Sequence, residues 1–261
     1  MSDILLHSID DRGIATLTMN RAEVHNAFDE ALIAELTDKL IHYGNDVNVR
    51  VIVLRGAGKS FSAGADLGWM RRQGGYSHAD NLQDAQKLAE LMKILNFLPK
   101  PTVALIQGAA YGGGVGLAAC ADIVIAAERA TFCLSEVKLG IIPGVISPYV
   151  AAAIGLRQTR RYAITAELIS ATEAHRIGLV SEVCANDALE ETLETILRAI
   201  CQGATGAQAD IKDLLFQVAN QKITEPLVTL TAERIAARRA SVEGKEGLTA
   251  FLDRREPSWR Q

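Results

Sequence analysis

Cysteine is scarce and unpatterned in this 261-residue chain: Cys120, Cys133, Cys184 and Cys201 form no CxxC pair or other metal-ligand spacing. That excludes a zinc module and a disulfide scaffold, and free thiols in apolar or helical surroundings fit a reducing, cytoplasmic compartment. The five histidines (His7, His25, His42, His78, His175) show no ligand-like pairing either, so no metal site is expected. No apolar run is long enough to span a bilayer, because Gly, Arg, Glu and Asp break every candidate. The start, Met1-Ser2-Asp3, lacks the basic and apolar stretch of a secretion signal. An excess of one charge is also missing: 27 Lys and Arg against 31 Asp and Glu give a net charge of -4. Such a balance attracts neither nucleic acid nor anionic membranes, so an anionic ligand has to be met by local positive groups or backbone dipoles. The pairs Arg71-Arg72, Arg160-Arg161, Arg238-Arg239 and Arg254-Arg255 are interleaved with acids and lack aromatic stacking partners. They read as solvated helix faces or as contacts to phosphate groups. Neither GxxxxGK[ST] nor GxGxxG occurs in the glycine-rich loops, which removes support for nucleotide hydrolysis and nicotinamide chemistry.

Aromatic residues make up only 5%, while apolar residues reach 49%. That mixture, rich in Ala, Leu, Ile and Gly, suits close packing of helices on a sheet. Ile4 to Ile9 and Ile14 to Met19 read as strands of a hairpin around Asp10-Asp11-Arg12-Gly13. Asn26, with Asp29 three residues on, reads as a helix cap, and Ala27, Leu32, Leu36 and Leu40 share one face of the helix that follows. Val51 to Leu54 is a buried-strand run, and Gly64 to His78 reads as a polar loop before a helix from about Asp80 to Phe97. Strand–helix units recur through Thr102–Ile106, the helix after Gly112-Gly113-Gly114, Ile123–Ala126 and Thr131–Leu134, without sequence repeats. From Asn186 helical periodicity dominates. The expected organisation is an α/β core over 1–190 and a helical segment over 191–261.

Two loops carry the chemical signal. Phe61-Ser62-Ala63-Gly64-Ala65-Asp66-Leu67 follows a strand, and Gly108-Ala109-Ala110-Tyr111-Gly112-Gly113-Gly114 leads from a strand into a helix. Small residues let a ligand approach the main chain, and the helix aims its positive end at whatever lies there. Two N–H donors converging on one oxygen form an oxyanion hole, which a thioester carbonyl becoming an enolate requires. Each loop taken alone is more often tight packing than catalysis.

In combination, Ser62-Ala63-Gly64-Ala65-Asp66 and Gly112-Gly113-Gly114 resemble the paired signature of the enoyl-CoA hydratase (crotonase) family. Asn20-Arg21, Lys100-Pro101-Thr102-Val103-Ala104 and Glu136-Val137-Lys138-Leu139-Gly140-Ile141-Ile142-Pro143-Gly144 match in the same order, through to Phe251-Leu252-Asp253-Arg254-Arg255-Glu256-Pro257-Ser258-Trp259. The resemblance implies a spiral of ββα units with a C-terminal helical trimerisation region, hence a homotrimer or dimer of trimers. It puts the oxyanion hole on the Ala65 and Gly113 amides. Coenzyme A, the thioester carrier of the substrate rather than a resident cofactor, is expected against Arg21, Ala22 and Val24 and against Ser62, Ala63 and Ala65. Asp66, Leu67, Met70, Tyr111, Gly112, Gly116, Pro143 and Ser147 are expected around the acyl group, with Asp66 a structural neighbour rather than a proton carrier.

Hydratases of this family usually hold water between two glutamates. The second is Glu136, whose apolar surroundings push its pKa toward useful acid–base values. The first position is Gly116. A single Glu still suffices to move a proton between carbons, as in enoyl-CoA isomerases of the family, and loss of the first Glu also admits a CoA-binding relative without turnover. Leu67-Gly68-Trp69-Met70-Arg71-Arg72 and Ile146-Ser147-Pro148-Tyr149-Val150 are similar to bacterial methylglutaconyl-CoA and isohexenylglutaconyl-CoA hydratases of leucine and acyclic terpene breakdown. That similarity implies hydration of a glutaconyl-type thioester, with Arg71, Arg72 or Lys138 meeting the second carboxylate. Ser147 and Tyr149 would then order the water.

Overall fold

The computed structural model describes residues 3–260; Met1 and Ser2, on which the N-terminal reading partly rests, lie outside them. The hairpin forms as expected: β1 (Leu5–Ile9) and β2 (Ile14–Met19) pair antiparallel. The first helix, α1 (Glu30–Asn45), is capped by Asp29, whose side chain accepts from the Leu32 amide, and not by Asn26. Asn26 sits in left-handed backbone (φ 54°), fully buried. Its side chain accepts from the Arg21 amide and donates to the Ala57 and Ser60 carbonyls, so its polar atoms hold a loop together instead of starting a helix. Ala27 accordingly precedes α1, whose buried stripe is Leu32, Ile33, Leu36 and Leu40.

β3 (Val51–Gly56) pairs parallel to β2. The stretch expected as a loop from Gly64 contains a short helix, α2 (Leu67–Gln73). Asp66 starts it by accepting from the Gly68 and Trp69 amides at 2.8 and 3.1 Å. The Ser77–Asp80 capping box then opens α3 (His78–Asn96). β4 (Thr102–Ile106), β5 (Ala109–Tyr111), α4 (Gly113–Cys120), β6 (Ile123–Ala127) and β7 (Thr131–Cys133) follow. After α5 (Ser147–Thr165) come β8 (Ile169–Ser170), α6 (Ala171–Arg176) and β9 (Glu182–Cys184).

Among the described residues the strands form a six-stranded sheet in the order β1-β2-β3-β4-β6-β9, parallel except for the β1–β2 pair, and a second sheet β5-β7-β8. Val51 to Leu54 and Val103 to Ile106 are almost wholly buried, the continuous apolar run of a parallel strand covered on both faces. The small sheet sets β5, and hence the start of α4, beside the loop after β3: Phe61 and Ser62 amides donate to Ala109 O, and Tyr111 N donates to Ser62 O.

The chain divides into a compact unit of 1–98 with 102–194 and a second of 99–101 with 195–261. The division falls within α7 (Leu189–Gln202). The second unit contains α8 (Thr205–Val218), α9 (Glu225–Ala240) and α10 (Val242–Leu252). Arg238, bonded to Asp210 and Glu243, ties these helices to one another. No described helix is long and apolar enough to cross a membrane.

Candidate active site

Two backbone loops and one carboxylate converge in the first unit. Gly112 precedes α4 with φ 50° and ψ −115°, a conformation that strains any residue with a Cβ. A Cβ there would also lie 3.1 Å from Glu136 Oε1 and 3.8 Å from the Gly64 Cα. The second glycine loop is therefore wedged between the first loop and Glu136. Its register is held by Gly112 N donating to Cys133 O, and that of the first loop by a bridge in which Phe28 N donates to Gly64 O and Asp66 N to Phe28 O.

This pairing bypasses Ala65: its amide donates no hydrogen bond among the described residues. Nor does that of Gly113, the first residue of α4, where an intrahelical acceptor does not exist. Both residues line one cavity of about 350 Å³, together with Glu136. Its apolar wall includes Phe28, Met70, Leu88, Ile142 and Ile146.

Glu136 opens a short 3₁₀ turn, Glu136–Leu139, after β7. Its Oε2 is buried without a partner, and burial pushes its carboxyl above the ordinary range, offset in part by a hydrogen bond from its own amide. Asp66 has the opposite environment. Burial would raise its pKa, but the Trp69 and Gly68 amides and the Arg21 guanidinium hold it below the usual carboxylate value. Asp66 is thus fixed as an anion in the loop scaffold, whereas Glu136 is poised to take up and release a proton.

The sequence model described as Enoyl-CoA hydratase/isomerase matches residues 10–261. The chain belongs to that family. It is 43% identical to an enoyl-CoA hydratase from Shewanella pealeana of known structure, covering 98% of this chain and 96% of that one at a TM-score of 0.95. An enoyl-CoA hydratase/isomerase from Marinobacter aquaeolei superposes at a TM-score of 0.93 with 34% identity, over 99% and 100% of the two chains. The 1,2-epoxyphenylacetyl-CoA isomerase of Escherichia coli is 31% identical, over 99% of each chain. The fold is the family's α/β fold, and hydratases and isomerases both stand among its relatives.

The residues expected at the site separate into two groups. Ala63, Ala65, Met70, Gly112, Gly113, Glu136 and Pro143 line the cavity. Asp66, Leu67, Tyr111, Gly116 and Ser147 do not. Leu67 is turned outward (69% exposed), the Tyr111 hydroxyl pairs with Thr131 Oγ1, and Ser147 Oγ donates to Gly144 O. Tyr149 packs against the core and is likewise outside the cavity wall, so the expected Ser147–Tyr149 water site is not formed there. Gly116 is buried under Ile146: a Cβ would lie 2.3 Å from Ile146 Cγ2 and 3.1 Å from Met92 Cε. The space of the missing first carboxylate is filled with hydrocarbon.

At the expected CoA-facing strand, Arg21 spends its side chain internally, on Asp29, Asp66 and the Ala27 carbonyl. Its amide donates to Asn26 and its carbonyl accepts from Asn26 and Val24. Ala22 is exposed beside it, and Ser62 is fully buried. Of the cations expected near an acyl carboxylate, Arg72 pairs with Glu30 at 2.6 Å and Lys138 Nζ donates to Ala166 O at 2.6 Å. Neither they nor Arg71 line the cavity. Sequence reasoning missed Phe28, Trp69, Gln73, Asn81, Asp84 and Ile146. Trp69 and Gln73 stand one helical turn apart, a signal hidden because their helix was read as a loop.

Proposed function

We propose that the chain catalyses reversible hydration of an α,β-unsaturated acyl-CoA through a thioester enolate. One observation carries this reading: two uncommitted amides, Ala65 and Gly113, share a largely apolar cavity with Glu136, whose carboxyl oxygen Oε2 is buried without a partner. The thioester oxygen accepts from both amides, which stabilise the charge that develops when the β carbon is attacked. Glu136 takes a proton from water as water adds to the β carbon, and the enolate is protonated at the α carbon. Coenzyme A is carried in by the substrate and runs past Ala22 and Val24 and the Ser62–Ala65 loop.

Isomerisation of a 3-enoyl to a 2-enoyl thioester is the second reading, favoured by one feature. Ile146 and Met92 occupy the space over Gly116, so Glu136 has no second glutamate across from it at that position. The finer reading, 3-methylglutaconyl-CoA as the substrate, requires a cation for the second carboxylate. The cavity wall supplies none, so the geometry favours an acyl chain without that group.

A homotrimer or dimer of trimers accords with the second unit, where Val242, Phe251 and Leu252 expose apolar side chains (88, 82 and 77%). Light scattering coupled to gel filtration reads the mass directly, and a monomer at micromolar concentration refutes the assembly.

The test of the activity is product analysis with crotonyl-CoA, a 3-enoyl-CoA and 3-methylglutaconyl-CoA, for wild type and Glu136→Gln. Hydration of a 2-enoyl substrate, reduced about a hundredfold or more in the variant, is expected. Double-bond migration alone selects the isomerase. Binding of all three without turnover overturns both.

A further inference from the structure

The short helix α2 is held firmly at its head. Asp66 caps it there, and Trp69 is buried (3% exposed). Its tail has fewer ties. Arg72 pairs with Glu30, but both side chains are partly exposed, and ion pairs in that setting hold weakly. The firmer tie is Gln73, the last residue of α2, whose Nε2 donates to Asp84 Oδ2 on α3 at 2.7 Å. Asp84 is only 6% exposed, and a hydrogen bond to a carboxylate out of water is stronger than one between neutral groups. Gln73 and Asp84 both line the cavity that holds Ala65, Gly113 and Glu136. So do Asn81 and Leu88, about one helical turn to either side of Asp84 on α3. The Gln73–Asp84 bond thus closes the cavity wall where the two helices meet.

Between the two bonded residues the chain from Gly74 to Gln83 is exposed, apart from half-buried Tyr76. It begins with two glycines that neither backbone nor packing requires. Neither Gly74 nor Gly75 has a positive φ, and beyond their chain neighbours a Cβ on either would meet nothing nearer than 3.5 Å. What adjacent glycines add at such a place is freedom of the connection. The Ser77–Asp80 capping box fixes the start of α3 directly afterwards, so that freedom is confined to the link. With Gln73 released, the tail of α2 can swing about buried Trp69. The Ala65 amide is kept in place meanwhile, because Asp66 N still donates to Phe28 O.

We propose that the Gln73–Asp84 hydrogen bond is a clasp that sets acyl-chain length: closed, it confines the site to short chains, and long-chain thioesters fit only when it opens. The inference rests on the reading of the cavity as an acyl-thioester site with the thioester at the Ala65 and Gly113 amides. From that end the seven residues of α2 rise about 10 Å to Gln73, so the clasp stands one helix length from the thioester. Gln73 and Asp84 are specificity residues here, with no part in proton transfer.

The experiment reads the ratio of kcat/KM for dodec-2-enoyl-CoA to that for but-2-enoyl-CoA at mildly alkaline pH. It uses wild type, Gln73→Ala, Gln73→Glu, and Gln73→Glu combined with Asp84→Asn. Gln73→Ala deletes the donor, and Gln73→Glu sets two carboxylates against each other. Adding Asp84→Asn faces a carboxylate with an amide donor again and closes the clasp in reverse. Wild type is expected to favour the short substrate. Each single variant should raise the ratio about tenfold, and the double variant should return it to within about threefold of wild type. A wild type without preference for the short chain, or a ratio that stays put in the single variants, overturns the clasp. So does a rise that Asp84→Asn does not reverse, which is the pattern of a wall merely damaged. Calorimetric binding of dodecanoyl-CoA and butanoyl-CoA to the same four proteins separates this from the proposed activity. Should nothing turn over, the same rise and rescue in the binding ratio upholds the clasp while the hydratase reading falls, and an unchanged binding ratio overturns the clasp as well.

Discussion

Gly116→Ala tests why this chain lacks a second carboxylate. The new Cβ would stand 2.3 Å from Ile146 Cγ2 and 3.0 Å from Ile146 Cβ, where comfortable carbon contacts are about 3.5–4.0 Å. Met92 Cε, at 3.1 Å, ends a flexible side chain and can swing aside. Ile146 cannot: it is 3% exposed, and Tyr149 and Val150 amides at the start of α5 donate to its carbonyl. Overpacking of this kind costs about 1–3 kcal/mol, against about 1 kcal/mol gained by replacing Gly with Ala inside a helix. The expected net effect is a loss of up to about 2 kcal/mol. In an Ile146→Ala background the methyl at 2.3 Å is gone while the Cβ at 3.0 Å stays, so the steric cost shrinks and Gly116→Ala should be at worst about neutral, stabilising by up to about 1 kcal/mol where that contact relaxes. Urea denaturation of the four proteins of this cycle gives both numbers. An equal effect of Gly116→Ala in the two backgrounds refutes the claim that Ile146 closes the position. If the sign reverses, Gly116→Glu with Ile146→Ala becomes the variant in which to measure whether a second carboxylate raises hydration relative to isomerisation.

Glu136 should leave a mark on stability as well as rate. Its folded-state pKa is raised by burial, so the native protein binds the proton more tightly than the unfolded chain. Stability contributed by this group therefore falls as pH rises from the unfolded value of 4.5 through the raised folded value, and Glu136→Gln flattens that slope in denaturation measured across the range. Activity should fall on the acid side, with a midpoint above the ordinary carboxylate range, because water attack needs the ionised form. Asp66→Ala should destabilise by about 1 kcal/mol or more at neutral pH through loss of the α2 cap. Because the Asp66 pKa is depressed, its contribution is complete above the unfolded value of 3.8 and disappears as pH falls through the folded one, so wild type and variant converge in acid. A gap that persists at the lowest accessible pH rejects that account. Asn26→Ala leaves the Arg21 amide and the Ala57 and Ser60 carbonyls without their buried partner and should cost about 1–3 kcal/mol by urea denaturation; a loss within about 0.5 kcal/mol removes Asn26 from the framework of the site.

The strands were legible because their physics is local: Val51–Leu54 and Thr102–Ile106 are short apolar runs bounded by glycine or proline, and burial on both faces demands that composition. Glu136 and the two glycine loops were legible as a set, since their spacing carries a family resemblance. What one side chain does among several partners was not. Asn26 and Asp29 are both good caps by type, and only the tertiary hydrogen bonds to Ala57 and Ser60 decide that Asn26 serves the loop. α2 was lost because Gly68 and the following Gly74-Gly75 dilute helix propensity, and the Asp66 cap with burial of Trp69 outweighs that deficit. Losing α2 hid the Trp69–Gln73 face and, through it, Asp84. Tyr111 and Ser147 were placed by the family resemblance of the segments that carry them, but their hydroxyls turn to Thr131 and Gly144 instead.

Arg21 reaches both Asp29, at the head of α1, and Asp66, at the head of α2, at 3.0 and 3.2 Å, and its Nη1 donates to the Ala27 carbonyl as well. The segment carrying the Ala65 amide is thus strapped at its rear by one cation to two helix starts. Such a donor does not have to wait for a loop to fold over the ligand; its aim is already set in the empty protein. Thioester capture should then follow a single exponential in stopped-flow, linear in ligand concentration. Cutting the strap with Arg21→Met should introduce a slow, concentration-independent phase as the loop searches for its pose.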